Sequence, residues 1–502
     1  MLNMKYTMKS IVWMLFVALL FTSCDSFLDM EPSNSGNADD AVATVDDAEI
    51  VMTGIMSTLT SSSYYGRNMF MYGDAKGGDL TIYSAGRGLD ALYSFNHSAT
   101  SNSYSGFWST GYYCILQINS LLENIENLEE AGETGFDFCK GQALTLRALV
   151  YFDLVRLYGL PYNYEKTSYG VPLTLTPLES NAELSRATVE EVYNQILTDL
   201  EEGKVLLAED KSAQEGYVGY YANLAISARV NLYMENYDDA LADAEEIIES
   251  GEYALYGNDE WVDSWQSQFG SESILELGIY PSESDLGSSS LGYYLMQYGQ
   301  LSGAMGYFLA SDYFLDRLGA DSTDVRWGIM DDDEYWVNYG ISRKGACYKY
   351  LGGLIQNDGT FPGDGKSTST AVNIKMIRLS EIYLIAAEAA LHATSPDADL
   401  AAGYLNEIRK RAPALELATA TTISDEMILE ERSKELFAEG HRFFDMMRMG
   451  ESITYNDDFQ DVPISTRDQT IDLTFGKIVL PISQDEINAN SALEDEQNEA
   501  YN

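Results

Sequence analysis

Cysteine, histidine and positive charge are scarce in this chain, and each shortage closes off a class of protein. Four cysteines and three histidines in 502 residues cannot build a disulfide scaffold. His97 and His392 are isolated, and no His/Cys/acid grouping has zinc spacing, so neither a metal centre nor a cofactor is expected. Of Cys114, Cys139 and Cys347 at most two can pair, and their spacing does not choose which. Thirty lysines and arginines stand against 79 acids, a formal charge of −49. A nucleic-acid backbone is therefore repelled, and no nucleic-acid partner is expected. Long apolar runs are missing too: the run from Ile11 to Phe21 is too short to cross a bilayer as a helix, and nothing later approaches that length.

What is present begins with that run. Lys5 and Lys9 precede it and Thr22-Ser23-Cys24 ends it, an arrangement that resembles an export signal closing on a lipobox, with Phe21 where leucine is usual and Leu20 one place earlier. Residues 1–23 are then a lipoprotein signal peptide, and acylated Cys24 becomes the first residue of the mature chain. Asp25, Asp29 and Glu31 lead into Pro32-Ser33-Asn34-Ser35-Gly36, so residues 24–40 read as a polar tether. Such an anchor holds a water-exposed domain at a membrane surface.

At 502 residues and 45% hydrophobic the chain can bury one large core or two. With 36 Tyr, 18 Phe and 6 Trp, some rings are expected at a surface. Residues 41–250 carry helical periodicity. The first helix is predicted over 46–60. Segment 61–104, rich in Gly, Ser, Tyr and Asp, is expected to be an irregular binding surface. Helices follow over 107–128, where Trp108 reads as core, over 140–159, and from Thr188 as N-cap. Ala228, Leu232 and Tyr233, a turn at Asn236, then Tyr237, Ala240, Leu241, Ala244 and Ile248 are spaced as in a tetratricopeptide unit. Residues 251–373 lose this period and read as a loop-rich, partly β elaboration, with SILELGIY as strand-like. In 374–502, Ile377, Ile382, Ile385, Ala386 and Ala389 recur at three- and four-residue spacing, and Leu405 and Ile408 continue after the break at Pro396. This predicts an antiparallel helical pair from Ile374, its loop bracketed by Pro396 and Gly403, then a helix from Ser424 to Gly440. The tail from Gly476 reads as a short extended piece followed by acidic surface packing.

Several local patterns imitate active sites. Gly363-Asp364-Gly365-Lys366-Ser367 lacks the first glycine of a phosphate loop, because Thr360 stands there. Gly86-Arg87-Gly88 lacks a third glycine and reads as a turn. The acids Asp331 to Glu334, with Asp358 and Asp364, lack EF-hand spacing and read as hydrated. Glu439, Gly440, His441, Arg442 and Asp445 bring acid, imidazole and guanidinium together, but read as a turn whose charges pair while Phe443, Phe444 and Met447 fill the core.

Taken together, five stretches carry a family resemblance: Cys24 with Asp25-Ser26-Phe27-Leu28-Asp29; Leu146-Arg147-Ala148 to Arg156-Leu157-Tyr158-Gly159; Arg378-Leu379-Ser380-Glu381 with Leu405-Asn406-Glu407-Ile408-Arg409; Glu430-Glu431-Arg432 to Asp445; and Leu480-Pro481-Ile482-Ser483. The chain resembles the SusD/RagB family over nearly its whole mature length. The resemblance implies a mainly α, SusD-like fold on a tetratricopeptide-like helix-pair scaffold. It further implies a cell-surface, lipid-anchored outer-membrane protein that is not an enzyme, binds a glycan, and caps a SusC-type TonB-dependent transporter for nutrient uptake.

Sugar rings stack a C–H face on flat aromatics while their hydroxyls pair with planar polar groups. Two regions offer that chemistry. The first supplies Tyr72, Asp74, Asp79, Tyr83, Arg87 and Tyr104; the second supplies Tyr293, Tyr294, Gln297, Tyr298, Trp327 and Trp336. The two are expected to converge over the scaffold. A peptide-binding lipoprotein of the same type is the alternative, and a surface glycosidase using two of the many acids is a distant third.

Overall fold

A computed structural model describes residues 42–82, 90–100, 104–178, 182–279, 286–299, 304–333, 340, 342–351, 372–457 and 464–502. The signal peptide, lipobox and tether, together with Tyr83, Arg87, Trp336, the 86–88 turn and the 363–367 run, lie outside the described residues.

The first helix is set by a reciprocal cap: Thr44 Oγ1 accepts the Asp47 amide at 3.2 Å, and Asp47 accepts the Thr44 amide at 3.0 Å, opening α1 (Val45–Leu59). Next come α2 (Asn68–Ala75), β1 (Leu80–Ile82) and α3 (Asp90–Ser94). Here the structure corrects the sequence reading for part of the segment expected to be an irregular surface, since residues 68–82 turn inward. Every residue of α2 is buried, and a helix covered on all sides has no amphipathic period to announce it.

The scaffold follows as α4 (Ser105–Glu130), α5 (Asp137–Tyr158), the single turn α6 (Tyr162–Glu165), α7 (Val189–Leu207), α8 (Tyr220–Tyr233) and α9 (Tyr237–Ser250). Each long helix packs on the next, α4 on α5, α5 on α7, α7 on α8 and α8 on α9, as stacked pairs must to cover their apolar faces. Helix α5 is enclosed, so its polar side chains need internal partners. Arg147 makes two 2.7 Å bonds to Asp199 on α7 and a 2.9 Å bond to Asn119 on α4. The turn into α9 is made at Glu235 (φ 61°) and Asn236, and Gly251 (φ 73°) closes α9.

Short elements then alternate: β2 (Ser273–Leu277), α10 (Leu291–Leu295), β3 (Phe308–Ala310), α11 (Asp312–Leu318), β4 (Met330–Asp331), β5 (Ala346–Cys347) and β6 (Ile374–Arg378). Among the described residues the strands form two-stranded antiparallel ribbons, β1 with β3, β2 with β6 and β4 with β5. Ribbon β2–β6 alters one boundary. Ile374 to Arg378, expected to begin a helix, pair with SILEL instead, and α12 (Leu379–His392) starts only after them. The pairing partner lies about a hundred residues upstream, and local periodicity cannot see it.

Helix α12 packs on α9 and on α13 (Ala398–Arg409), and Arg229 on α8 holds Glu381 on α12 through bonds of 2.7 and 2.6 Å. Asp397 caps α13 after Pro396, while Gly403, expected in the loop, lies inside α13. Ser424 caps α14 (Asp425–Glu435), which ends short of Gly440; α15 (Arg442–Arg448), β7 (Ile453–Thr454), its partner β8 (Thr470–Ile471) and α16 (Gln484–Ala489) complete the chain. The tail packs as expected: the Leu480 amide bonds Leu157 O at 2.8 Å, and Asn498 bonds Tyr158 O at 3.0 Å. Cys114, Cys139 and Cys347 are free and buried, and burial pushes the first two thiols up to about 12.

Candidate ligand-binding site

The chain segments that carry the two aromatic regions touch. Strand β1 pairs with β3 in the register Leu80 to Ala310 and Ile82 to Phe308, and Arg67, just before α2, reaches the start of α10. The meeting uses other residues than the first region's candidates. Tyr72 is fully buried, its ring 5.8 Å from Phe444 and nearly parallel to it. Asp74 accepts the Gly440 amide at 2.6 Å, and burial holds its carboxyl well above the usual range. Asp79 accepts the Ser433 hydroxyl at 2.6 Å and pairs with Arg317 and Arg442. Tyr104 is buried against Phe107, ring centroids 6.1 Å apart. These four hold elements together, and in this conformation none can offer a face to a ligand. Tyrosine and aspartate suit a core seam as well as a sugar site, and composition does not distinguish the two.

The second region fares differently. Ser290 precedes α10, whose Leu291 and Leu295 are buried while Tyr293 and Tyr294 stay half-buried. The Met305 amide bonds Tyr293 O at 2.8 Å. Gly306 (φ 51°) lies so close to Tyr298 that a Cβ would stand 2.6 Å from its backbone nitrogen, which requires glycine there. This tight return leaves Tyr298 54% exposed. Beside it, Tyr294 and Tyr307 have ring centroids 4.9 Å apart. The Arg67 guanidinium carbon lies 4.6 Å from the Tyr294 ring centre; Nη1 donates to Tyr294 Oη at 2.9 Å and Ser289 O at 3.3 Å, and Nε to Asn68 Oδ1 at 2.9 Å. Gln297 Nε2 donates to Asp333 O at 3.1 Å. Trp327 is half-buried, its indole N–H on Asp321 O at 3.3 Å. Tyr294 and Tyr307, with the Arg67 guanidinium fixed against Tyr294 and the exposed Tyr298 held next to Gly306, form a shelf suited to stacking and planar hydrogen bonding; Gln297 and Trp327 have their contacts elsewhere. Arg67 and Tyr307 were not singled out from sequence. The available signal for Arg67 was a cation within a Ser/Tyr run, seven residues from the next acid, Asp74.

An aromatic concavity of about 490 Å³ lies apart from the shelf, along α4, lined by Tyr112, Tyr113 and Leu116 with Pro172, Leu178 and Glu486 across from them. Tyr112 Oη donates to Pro172 O at 2.8 Å. Trp108, at its edge, is buried edge-on to Tyr158 at 4.9 Å, a core residue as expected.

The acid, imidazole and guanidinium near Gly440 are a buried ion-pair network. Glu439 pairs with Arg378 at 2.7 Å and Lys349 at 2.8 Å, and Asp445 with Arg432 at 2.8 Å and Arg448 at 3.0 Å. Burial lowers the His441 pKa to about 4. Burial opposes ionisation of Glu381 and Glu435, but Arg229 overrides it for the first and Arg378 with Arg411 for the second, leaving both near 2. The consequences for stability carry definite signs. The two glutamates stabilise the fold above the ordinary carboxylate range, and that contribution is lost as pH falls toward about 2. Between about 6.5 and 4 the unfolded chain protonates residue 441 while the folded one does not, so stability decreases as the pH is lowered across that window. Urea melts should show His441→Gln removing on the order of 3 kcal/mol of this slope; an unchanged slope would refute the assignment.

Residues 26–232 match a family model described as starch-binding associating with outer membrane, and residues 342–501 match the SusD family model. A SusD superfamily protein of Bacteroides thetaiotaomicron superposes with a TM-score of 0.81 at 31% identity, covering 91% of this chain and 100% of that one. The chain belongs to the SusD family. A putative sugar binding protein of Bacteroides vulgatus matches at TM-score 0.80 and 31% identity, over 92% of this chain and 100% of its own. SusD-like protein P38 of Formosa agariphila is 25% identical over 497 residues, 89% of this chain and 93% of that protein. Proteins of the SusD family are non-catalytic binding proteins, consistent with reading the cluster from Glu439 to Asp445 as structure.

Proposed function

We propose that this protein captures an oligo- or polysaccharide on the shelf formed by Tyr294, Tyr298 and Tyr307 and delivers it to a membrane transporter. The observation that carries this reading is the shelf: the exposed Tyr298 ring, the half-buried Tyr294 and Tyr307 rings in contact with each other, and a guanidinium held against Tyr294. The family description, starch-binding associating with outer membrane, and the sugar-binding designation of the Bacteroides vulgatus protein support a glycan as ligand. Anchoring would come from acylation of Cys24, with the domain on the cell surface, and the partner would be a SusC-type TonB-dependent transporter capped by the helical scaffold.

Binding of the mature chain to an array of oligosaccharides tests the reading. Retention of at least one glycan series is expected, and Tyr298→Ala and Tyr294→Ala should each weaken it about tenfold, the scale of one lost stacking contact. Retention of peptides with no response to any glycan would replace the reading by its peptide counterpart. Sustained release of reducing ends would remove the non-catalytic assignment.

A further inference from the structure

We propose that the shelf selects an anionic glycan, one bearing a carboxylate or sulfate, and that Arg67 is the residue that recognises the negative group. The inference rests on reading the shelf as a glycan site and adds the charge class of the ligand. In a chain with 79 acids, arginines find carboxylates readily. Among the described residues every arginine except Arg67 and Arg186 has a carboxylate within 4.0 Å. Arg186 is buried, and its donors meet the carbonyls of Gly170, Tyr158, Tyr169 and Glu496 and the side chain of Asn498.

Arg67 differs on both counts. It is half-buried, and its acceptors are all neutral: the Asn68 amide oxygen, the Ser289 carbonyl and the Tyr294 phenol. These partners occupy Nε and Nη1 and pin the guanidinium over the Tyr294 ring. Nη2 has no acceptor among the described residues. A purely structural clamp between α2 and α10 would need only the bonds already made. What remains is an oriented pair of N–H donors carrying an uncompensated charge beside aromatic rings.

A neutral hydroxyl would satisfy the donors and leave the charge unpaired, whereas a carboxylate or sulfate oxygen satisfies both in a charge-assisted bond. The net charge of −49 does not prevent this. Repulsion from distributed surface acids is screened beyond about 8 Å at physiological salt, while a contact at hydrogen-bond distance is not. Selection is therefore local to Arg67.

The test uses the mature chain and matched pairs of probes: uronate-containing oligosaccharides against their carboxyl-reduced forms, and sulfated oligosaccharides against their desulfated forms. The acidic member of at least one pair should bind about 10- to 100-fold more tightly, the scale of a hydrogen bond to a charged group; which pair responds separates carboxylate from sulfate. Arg67→Gln should bring that ratio to about one and Arg67→Lys should keep part of it, with thermal melts of each variant recorded alongside. The ratio is read within one protein, so a loss of stability common to both members does not move it. Equal affinity within every pair, or a ratio unchanged in Arg67→Gln, overturns the inference. If neutral glycans bind and Tyr298→Ala weakens them, the glycan reading stands and the anionic one fails; if only peptides bind, both fail.

Discussion

Arg378→Met is expected to destabilise the folded protein by about 3–5 kcal/mol, the cost of leaving buried charges without their partner. The guanidinium lies at the end of β6 and is almost wholly buried. It binds Glu439 Oε1 and Oε2 at 2.7 and 2.9 Å, Glu435 Oε1 at 3.1 Å and Glu272 Oε2 at 3.0 Å, and its Nη2 donates to the Glu435 carbonyl oxygen at 3.0 Å. Arg411 and Lys349 share some of these acids, bonding Glu272 at 2.7 Å and Glu439 at 2.8 Å, but neither can replace the residue at the centre. Methionine fills much of the volume and supplies no charge, so several carboxylates would have to protonate or open to water. The loss should shrink as pH is lowered and the acids take up protons. Urea unfolding monitored by far-ultraviolet circular dichroism at pH 7 and pH 5 measures both effects. A loss under 1 kcal/mol at pH 7 would mean that the neighbouring cations compensate.

The second large effect is expected from Gly73→Ala, at about 3 kcal/mol or more, beyond ordinary overpacking of a side chain because the obstacle is backbone. Gly73 sits in α2 where the helix crosses the turn before α15, and a Cβ there would overlap the Gly440 carbonyl oxygen. Gly440 cannot yield easily. It adopts φ 82°, a Cβ on it would stand 2.9 Å from Phe70 Cα, and its amide is held by Asp74 at 2.6 Å. Two glycines about 370 positions apart in sequence thus let α2 touch the turn that carries the ion-pair network. Gly403→Ala supplies the contrast: it lies inside α13 with no atom within 4 Å of a Cβ, and alanine there should be neutral or stabilising. Comparable melting temperatures for the two variants would remove the argument.

The helical scaffold was legible because its signals are local. Thr188 opens α7 with the reciprocal bond to Glu191, and Asn236 marks the turn between α8 and α9. The alanines of α12 lie where close approach to α9 and α13 requires them. Each of these features is decided within a turn or two of chain. Two misreadings turn on distant or enclosing partners, and a third on giving a glycine too much weight as a helix breaker. Ile374 to Arg378 form a strand because of SILEL about a hundred residues earlier, α2 is hidden by having no exposed face, and Gly403 reads as a loop residue only until its helix is seen.

For the candidate site, residue types were visible in the sequence and their disposition was not. Tyr72 and Tyr298 look alike in a Tyr-rich segment, yet one is enclosed by Phe107, Phe443 and Phe444 and the other faces solvent. Arg67 stands out only once Tyr294, some 227 positions away, is seen to accept its hydrogen bond. The amino-acid order by itself determined the helix-pair architecture, the scarcity of cations and the family, since periodicity, caps and composition are written along the chain. Tertiary structure alone decided which rings are walls and which are exposed, and which cation lacks an acid, because burial and pairing depend on neighbours that the chain brings together only by folding.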